Sequence, residues 1–312
     1  MVNGHSPIVS KTLFDLFRRL SSHSFLFIEP GGNSGDSLIY KGAYKLAARA
    51  QLQYEAVRHE EIIDRLNEVP SDKVVYIHGS GGFVPLWSGR PSIALRRLVA
   101  TFNGTIILGP STFSEDVDYL KESLINFISD GRCRKVFIFA REHTSYLVLK
   151  QWLPSWVELL EDHDTALNLQ AQDFDITRLE QIYALYAIRA DKERSPKQKM
   201  DIFSSRLDPV LCCRSFEEWF LLHARAKEIV TNRLHSSILG SILGKRTTLL
   251  PNSYHKNRSL WEFSLKSRGV LWREALPVNP LNEWLSNQSL IRRLRFSCFA
   301  ERLIKSYFLE LC

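Results

Sequence analysis

The chain has 312 residues, 45% hydrophobic and 24% charged, which is the make-up of a folded, water-soluble protein with room for two hydrophobic cores. Forty-one Lys and Arg against 34 Asp and Glu leave a net charge of +7, favouring anionic partners such as phosphates, acidic glycans or a membrane surface. The excess is spread along the chain and no RNP-like aromatic stretch or basic recognition region occurs, so nucleic acid is not an expected partner.

No run of about 18 apolar residues is present and the N-terminus lacks the apolar core of a secretory signal, so a cytoplasmic location is expected. Five cysteines (Cys133, Cys212, Cys213, Cys298, Cys312) form no CxxC pair and have no His at finger spacing. They read as reduced structural thiols, and no metal site is expected.

In chain order, residues 11–22 carry Leu13, Phe14, Leu16, Phe17 and Leu20 at helical spacing and predict an amphipathic helix. Residues 24–28 read as a short strand ending at Glu29, Pro30 and the turn G-G-N-S-G-D (Gly31 to Asp36), followed by a helix over 37–51. Residues 74–78, 105–108 and 136–140 are further strand-like runs, ending in G-S-G-G, G-P-S-T and Arg141. Strands that end in such turns and alternate with helices predict a parallel α/β sheet. Ligands on such sheets bind beyond the carboxyl ends of the strands.

A second half starts after Pro154 and the acidic 158–164 segment. Residues 184–188 predict a strand ending in R-A-D-K-E, 209–213 another, and 215–227 a helix with Ser215 as cap and Glu218 at capping-box spacing. Strands at 229–231 and 247–250 flank R-L-H (Arg233 to His235). The expected architecture is two α/β halves, 1–160 and 161–285, facing a cleft, with a tail over 286–312. The tail places apolar residues at helical spacing beside Arg292, Arg293, Arg295, Arg302 and Lys305. It reads as a helix crossing the domain junction or as a basic amphipathic surface on anionic lipid.

Arg233 and His235 stand where a turn opens a small-residue helix, gathering a guanidinium, an imidazole and free backbone N–H groups around one point. An anionic donor substrate needs such a point. The glycines of G-G-N-S-G-D allow close backbone approach to a ligand, with Asn33, Gly35 and Asp36 at the contact; the same turn also reads as a plain left-handed turn with Asp36 as a cap. It lacks the Lys-Ser/Thr of a P-loop and the spacing of a dinucleotide fingerprint. Arg141, at a strand end, suits either bidentate anion binding or an ion pair, and Ser145 shares its face if a helix begins there. His143 is expected to be exposed, while Lys256 and Asn257 could close the pocket from the last loop.

Together, G-G-N-S-G-D, I-H-G-S-G-G, R-E-H-T-S, R-A-D-K-E, R-L-H and N-S-Y-H-K-N-R resemble the polysaccharide pyruvyl transferase family in order and spacing, over most of residues 25–265. The resemblance implies a GT-B fold of two Rossmann-type domains, with the acceptor on the 1–160 side and the donor on the 161–285 side. It implies transfer of pyruvate from phosphoenolpyruvate to a sugar of an exopolysaccharide or cell-envelope glycan as a ketal, with phosphate released and no cofactor. Donor binding carries over to Arg141, Arg233, Leu234 and His235. From the chemistry of the residues themselves, His235 is the candidate general acid and Asp36, in the opposing half, the candidate base for the acceptor hydroxyl. Ser111, Glu142 and Ser236 depart from the family's usual Gln, Asp and Gly. A lipid-linked acceptor would bring the basic tail to the inner face of the membrane. Competing readings are a GT-B glycosyltransferase using a nucleotide sugar and a non-catalytic component of a polysaccharide assembly complex.

Overall fold

The computed structural model describes residues 10–87, 89–129, 135–174, 176, 179–195 and 207–275, and the expected tail helix lies outside them. The first half is a six-stranded, wholly parallel sheet built from β1 (Ser24–Glu29), β2 (Gln53–Arg58), β3 (Val74–Ile77), β4 (Thr105–Ser111), β5 (Lys135–Ala140) and β6 (Glu158–Glu161). Its order is β2-β1-β3-β4-β5-β6. The second half is a four-stranded parallel sheet of β7 (Tyr183–Ala187), β8 (Ala226–Thr231), β9 (Arg246–Leu249) and β10 (Leu271–Trp272), in the order β10-β9-β8-β7. The chain is therefore α/β with two parallel sheets.

The interior strands read as buried apolar runs because helices cover both faces of a parallel sheet. In β3 every residue is buried, and β1 is buried from Phe25 to Ile28. The strand order of the first sheet reverses between β1 and β3, a switch point that opens a crevice between the two following turns. Those turns are Gly31 to Asp36 and Gly79 to Gly82, two of the motifs prominent in the sequence.

Local chemistry explains where the elements differ from expectation. The helix after β1 spans Ser34–Arg49 and starts inside G-G-N-S-G-D: Asn33 Oδ1 accepts the Gly35 N–H at 2.8 Å, and Asp36 Oδ2 accepts the Asn33 N–H at 2.8 Å. This is a reciprocal capping box. Residues 209–213 form a helical turn, Pro209–Cys212, rather than a strand, because the Asp208 carboxylate caps Val210 N–H and Pro209 takes the first helical position. Ser215 caps the Phe216–Ala224 helix as expected, but the Glu218 carboxylate accepts from Arg214 N–H, one residue before the cap. The acidic 158–164 segment, after which the second half was expected, contains β6, the edge strand of the first sheet.

The Ser34–Arg49 helix joins the two halves. It is the crossover between β1 and β2, yet Leu38 packs with Ala166, Leu167, Leu234 and Leu239 of the second half. Gly42 makes this possible: a Cβ there would lie 2.0 Å from the Thr165 carbonyl oxygen. Further ties cross the junction, including Trp87 Nε1 to Glu193 Oε1 at 2.5 Å and Thr144 Oγ1 to Ser259 Oγ at 2.7 Å. Gly42→Ala should therefore cost about 2 kcal/mol or more through overpacking, read as a fall in the thermal midpoint. An unchanged midpoint would mean that the helix does not bear on the 165–168 turn.

Candidate functional site

A cavity of about 560 Å³ opens where the carboxyl edges of the two sheets meet. The first sheet contributes the Pro30 to Asp36 turn after β1, the Ser80 to Gly82 turn after β3, and Arg141 after β5. The second contributes Arg189, Asp191 and Glu193 after β7, Arg233 to Ser236 after β8, and Lys256 after β9.

Arg141 is 1% exposed. Its Nε donates to Thr112 Oγ1 at 2.8 Å and its Nη1 to Asp164 Oδ2 at 2.8 Å. The same carboxylate oxygen lies 3.4 Å from His235 Nε2. Asp164 is fully buried and its other oxygen accepts Ala166 N–H at 3.0 Å. Burial alone would raise its carboxyl pKa, but His235, Arg141 and the Ala166 N–H outweigh that and hold it at about 2. His235 Nδ1 lies beside Gly35, 2.6 Å from where a Cβ would stand, so Gly35 serves as a backbone wall that gives the ring its place.

The second sheet carries a chain of alternating charges across the cavity floor. Lys256 and Arg189 both donate to Glu193; Arg189 grips Asp191 through Nε and Nη2 at 2.8 and 3.0 Å; Arg233 Nη2 reaches Asp191 at 2.9 Å. Arg233 also makes a two-point contact with Asp208 through Nε and Nη2, both at 2.5 Å. Burial would raise the Glu193 carboxyl, yet Lys256, Arg189 and the Trp87 N–H bring it down to about 2. Lys256 falls to about 8, mainly through burial, with Glu193 opposing and Arg189 and Arg141 reinforcing. Buried charges of this kind are tolerated because each is paired, and pairing fixes their positions before any ligand arrives.

The structure thus gathers Arg141, Arg233, Leu234, His235, Asn33, Gly35, Asp36 and Lys256 around one cavity. Arg141 and Arg233 arrive already paired, leaving Arg141 Nη2 and Arg233 Nη1 outside those bonds. Asp36 and Asn33 share the capping box, so one Asp36 oxygen is committed to the backbone.

Two expected contacts are corrected. Ser145 is fully buried and faces away from the cavity: its Oγ accepts Phe113 N–H at 2.8 Å and bonds the carboxylate of Glu142, which caps the His143–Trp152 helix. Asn257 is also fully buried, with its amide committed to the carbonyls of Asn232 and Leu250 at 2.8 and 3.0 Å. Both brace the loops behind the cavity. His143 is exposed, as its position suggested, and pairs with Glu161 at 3.2 Å.

Asp164, Arg189, Asp191, Glu193 and Asp208 were not singled out from the sequence. Arg189, Asp191 and Glu193 carried a signal, since R-A-D-K-E directly follows a strand. Asp164 and Asp208 carried none beyond their type.

The family described as Polysaccharide pyruvyl transferase matches residues 33–254, a span that includes Arg141, Asp164, Arg233 and His235. The chain belongs to the polysaccharide pyruvyl transferase family. Its fold is shared with the crystal structure of a functionally uncharacterised protein from Klebsiella pneumoniae subsp. pneumoniae NTUH-K2044, at 23% identity and a TM-score of 0.65. That similarity covers 88% of this chain and 100% of the other. No curated protein matches the chain.

The three departures from the usual pattern of this pyruvyl transferase family all have local partners. Ser111 Oγ donates to the Gly109 carbonyl at 2.8 Å and accepts Ser80 N–H at 3.1 Å, bracing the turn after β3. Glu142 is the helix cap, and Ser236 Oγ lies 2.9 Å from Nε2 of buried His223. None displaces Arg141, Arg233 or His235 from the cavity wall.

Asp164→Asn leaves Arg141 buried without its counter-charge and should cost about 3 kcal/mol at neutral pH. The carboxyl's contribution is complete above its ordinary value of 3.8 and is lost as pH falls through about 2. The stability gap between wild type and Asp164→Asn should therefore narrow across that window in denaturant titrations at stepped pH. A gap that is absent at pH 7, or constant down to pH 2, would rule out this account of Asp164.

Proposed function

We propose that the cavity binds phosphoenolpyruvate and that the protein transfers its pyruvate to two hydroxyls of a glycan, releasing phosphate. One observation carries the reading. Arg141 Nη2 and Lys256 Nζ lie 3.4 and 3.8 Å from the Cβ position that Gly81 leaves empty. Two cations converging on bare backbone make a seat for one anionic group. The donor's second anion would face Arg233 and Arg189 across the cavity, about the arrangement a carboxylate-phosphate pair needs.

In this reading His235, backed by Asp164, gives a proton to the vinyl carbon of phosphoenolpyruvate. The adjacent carbon becomes oxocarbenium-like and takes a sugar hydroxyl, whose proton passes to Asp36. A second hydroxyl of the same sugar then bonds to that carbon as the carbon–oxygen bond to phosphate breaks. The two hydroxyl protons balance the one delivered to the methyl group and the one leaving with phosphate. The paired guanidinium groups neutralise donor charge without moving, so no cofactor enters the scheme.

Two parallel sheets meeting at their carboxyl edges support a GT-B arrangement as part of the same reading, with donor contacts concentrated on the second half. Among the described residues no helix is long and apolar enough to cross a membrane. We place the reaction in the cytoplasm, on a cell-envelope glycan precursor that is lipid-linked if the basic tail meets the membrane.

The decisive experiment pairs calorimetric titration of phosphoenolpyruvate and several nucleotide sugars with mass detection of a pyruvylated glycan. Binding of a nucleotide sugar in place of phosphoenolpyruvate would turn the assignment to glycosyl transfer. His235→Ala should reduce turnover about a hundredfold or more while donor binding persists; turnover close to wild type would remove the acid role. Gly81→Leu fills the seat between Arg141 and Lys256 and should weaken donor binding about tenfold or more, against unchanged thermal stability. Unaltered donor affinity would move the anion seat elsewhere.

A further inference from the structure

Glu193, 3% exposed in the loop after β7, gathers donors from three different loops onto one carboxylate. Its Oε1 accepts Trp87 Nε1–H at 2.5 Å, across the junction from the first half. Its Oε2 accepts from Arg189 Nη1, from Lys256 Nζ and, at 3.4 Å, from Asn252 Nδ2. The main chain is fixed as well: Glu193 N–H donates to Asp191 Oδ1 at 3.1 Å, and its carbonyl accepts Ser253 N–H at 3.0 Å.

Four donors take up the acceptor positions that a carboxylate offers. Lys256, Arg189 and the Trp87 N–H outweigh burial and hold the carboxyl at about 2, so it is ionised at neutral pH and a poor proton acceptor. Its contacts suit it to placing other groups, not to acid or base chemistry.

Lys256 depends most on it. Among the described residues Glu193 is the one carboxylate paired with Lys256, whereas Arg189 keeps Asp191 as a second partner. The other groups facing the ammonium are the Arg189 and Arg141 guanidinium groups, which oppose its charge, and the Tyr254 ring at 5.2 Å. Trp87 supplies the tie to the first half. It stands on the loop after β3 that also carries Gly81, and its N–H donates to the Val84 carbonyl at 3.2 Å. One carboxylate therefore touches both a wall of the anion seat and the loop that brings the bare backbone to it. The two cations of that seat are held alike, Arg141 by Asp164 and Lys256 by Glu193.

We propose that Glu193 is a positioning residue for donor binding, keeping Lys256 charged and in register with Gly81 across the two halves. The inference rests on the anion seat of the pyruvyl-transfer reading. Its signature is the pH dependence of donor affinity. The Lys256 ammonium stands at about 8 with Glu193 opposing the effect of burial, and removing that carboxylate takes it lower. An ammonium is charged below its pKa and loses its charge as pH rises through it. Donor affinity should then fail at lower pH when Glu193 is neutralised, whereas a merely structural role weakens binding alike at every pH.

The experiment titrates phosphoenolpyruvate and, separately, inorganic phosphate by calorimetry at stepped pH, from about 6 to about 9, around the Lys256 value. The proteins are the full chain as wild type, Glu193→Gln, Glu193→Asp, Lys256→Met and the double variant Glu193→Gln with Lys256→Met. Wild-type affinity should fall as pH rises through about 8. In Glu193→Gln the fall should come about one pH unit or more earlier, and Glu193→Asp, which keeps the charge, should move it back. Lys256→Met should bind more weakly than wild type at low pH and lack this fall. The double variant leaves no unpaired charge between the two residues, so it serves even where Glu193→Gln alone does not fold. It should bind no more weakly than Lys256→Met. A fall at the same pH in wild type and Glu193→Gln, or a double variant much weaker than Lys256→Met, overturns the positioning role. Wild type that binds inorganic phosphate but not phosphoenolpyruvate overturns the pyruvyl-transfer reading, and the phosphate titrations then decide the role of Glu193. Wild type that binds neither removes the seat and this role with it.

Discussion

A single buried carboxylate, Asp164, holds the two halves of the site in register. It pairs with Arg141 from the end of β5 and faces His235 from the helix after β8. Buried as it is, that carboxylate is held ionised by the partners close to it, and Arg141 cannot withdraw without stranding a charge. The guanidinium and imidazole therefore keep one relative position whether or not a ligand is bound. The Arg141 guanidinium beside Gly81 and the ring nitrogen beside Gly35 inherit that position.

Packing reinforces what the charge demands. The Ser34–Arg49 helix is anchored to the first sheet by connectivity and to the second by Leu38, with Gly42 permitting near contact to the 165–168 turn. Asp164 caps that same turn. The element that carries Asn33, Gly35 and Asp36 is thus pressed against the residue that aligns Arg141 and His235. A shift of this helix would disturb the cap and the His235 wall together. The geometry of the candidate site is a property of one packed junction.

Much of this was legible in the chain. Short apolar runs ending in glycine or charge marked β1, β3, β4, β5, β7, β8 and β9, because a strand buried on both faces must be apolar throughout. β2 escaped because Gln53, Tyr54, Glu55 and Arg58 lie at an exposed edge, where burial imposes no apolar pattern. β6 escaped for the same reason, its Glu158 and Glu161 reading only as part of an acidic segment before the second half. Residues 209–213 misled because Val210, Leu211 and the two cysteines suit a strand, while the deciding contact came from Asp208 just before them. Ser145 and Asn257 were drawn into the site by sequence proximity to Arg141 and Lys256, but helix direction turned both inward.

Residue type and order alone determined that Arg141, Arg233, His235, Lys256 and the Gly31 to Asp36 turn lie at carboxyl ends of parallel strands, since such strands repeat one polarity. They also made an anion the expected ligand, because cations beside bare glycine backbone suit negative charge. Tertiary structure alone decided which carboxylates answer those cations. Asp164, Asp191, Glu193 and Asp208 look like any surface acid in the chain, and only folding removes the water that would make them ordinary. Pairing across sheets depends on three-dimensional distance, and no local spacing encodes it.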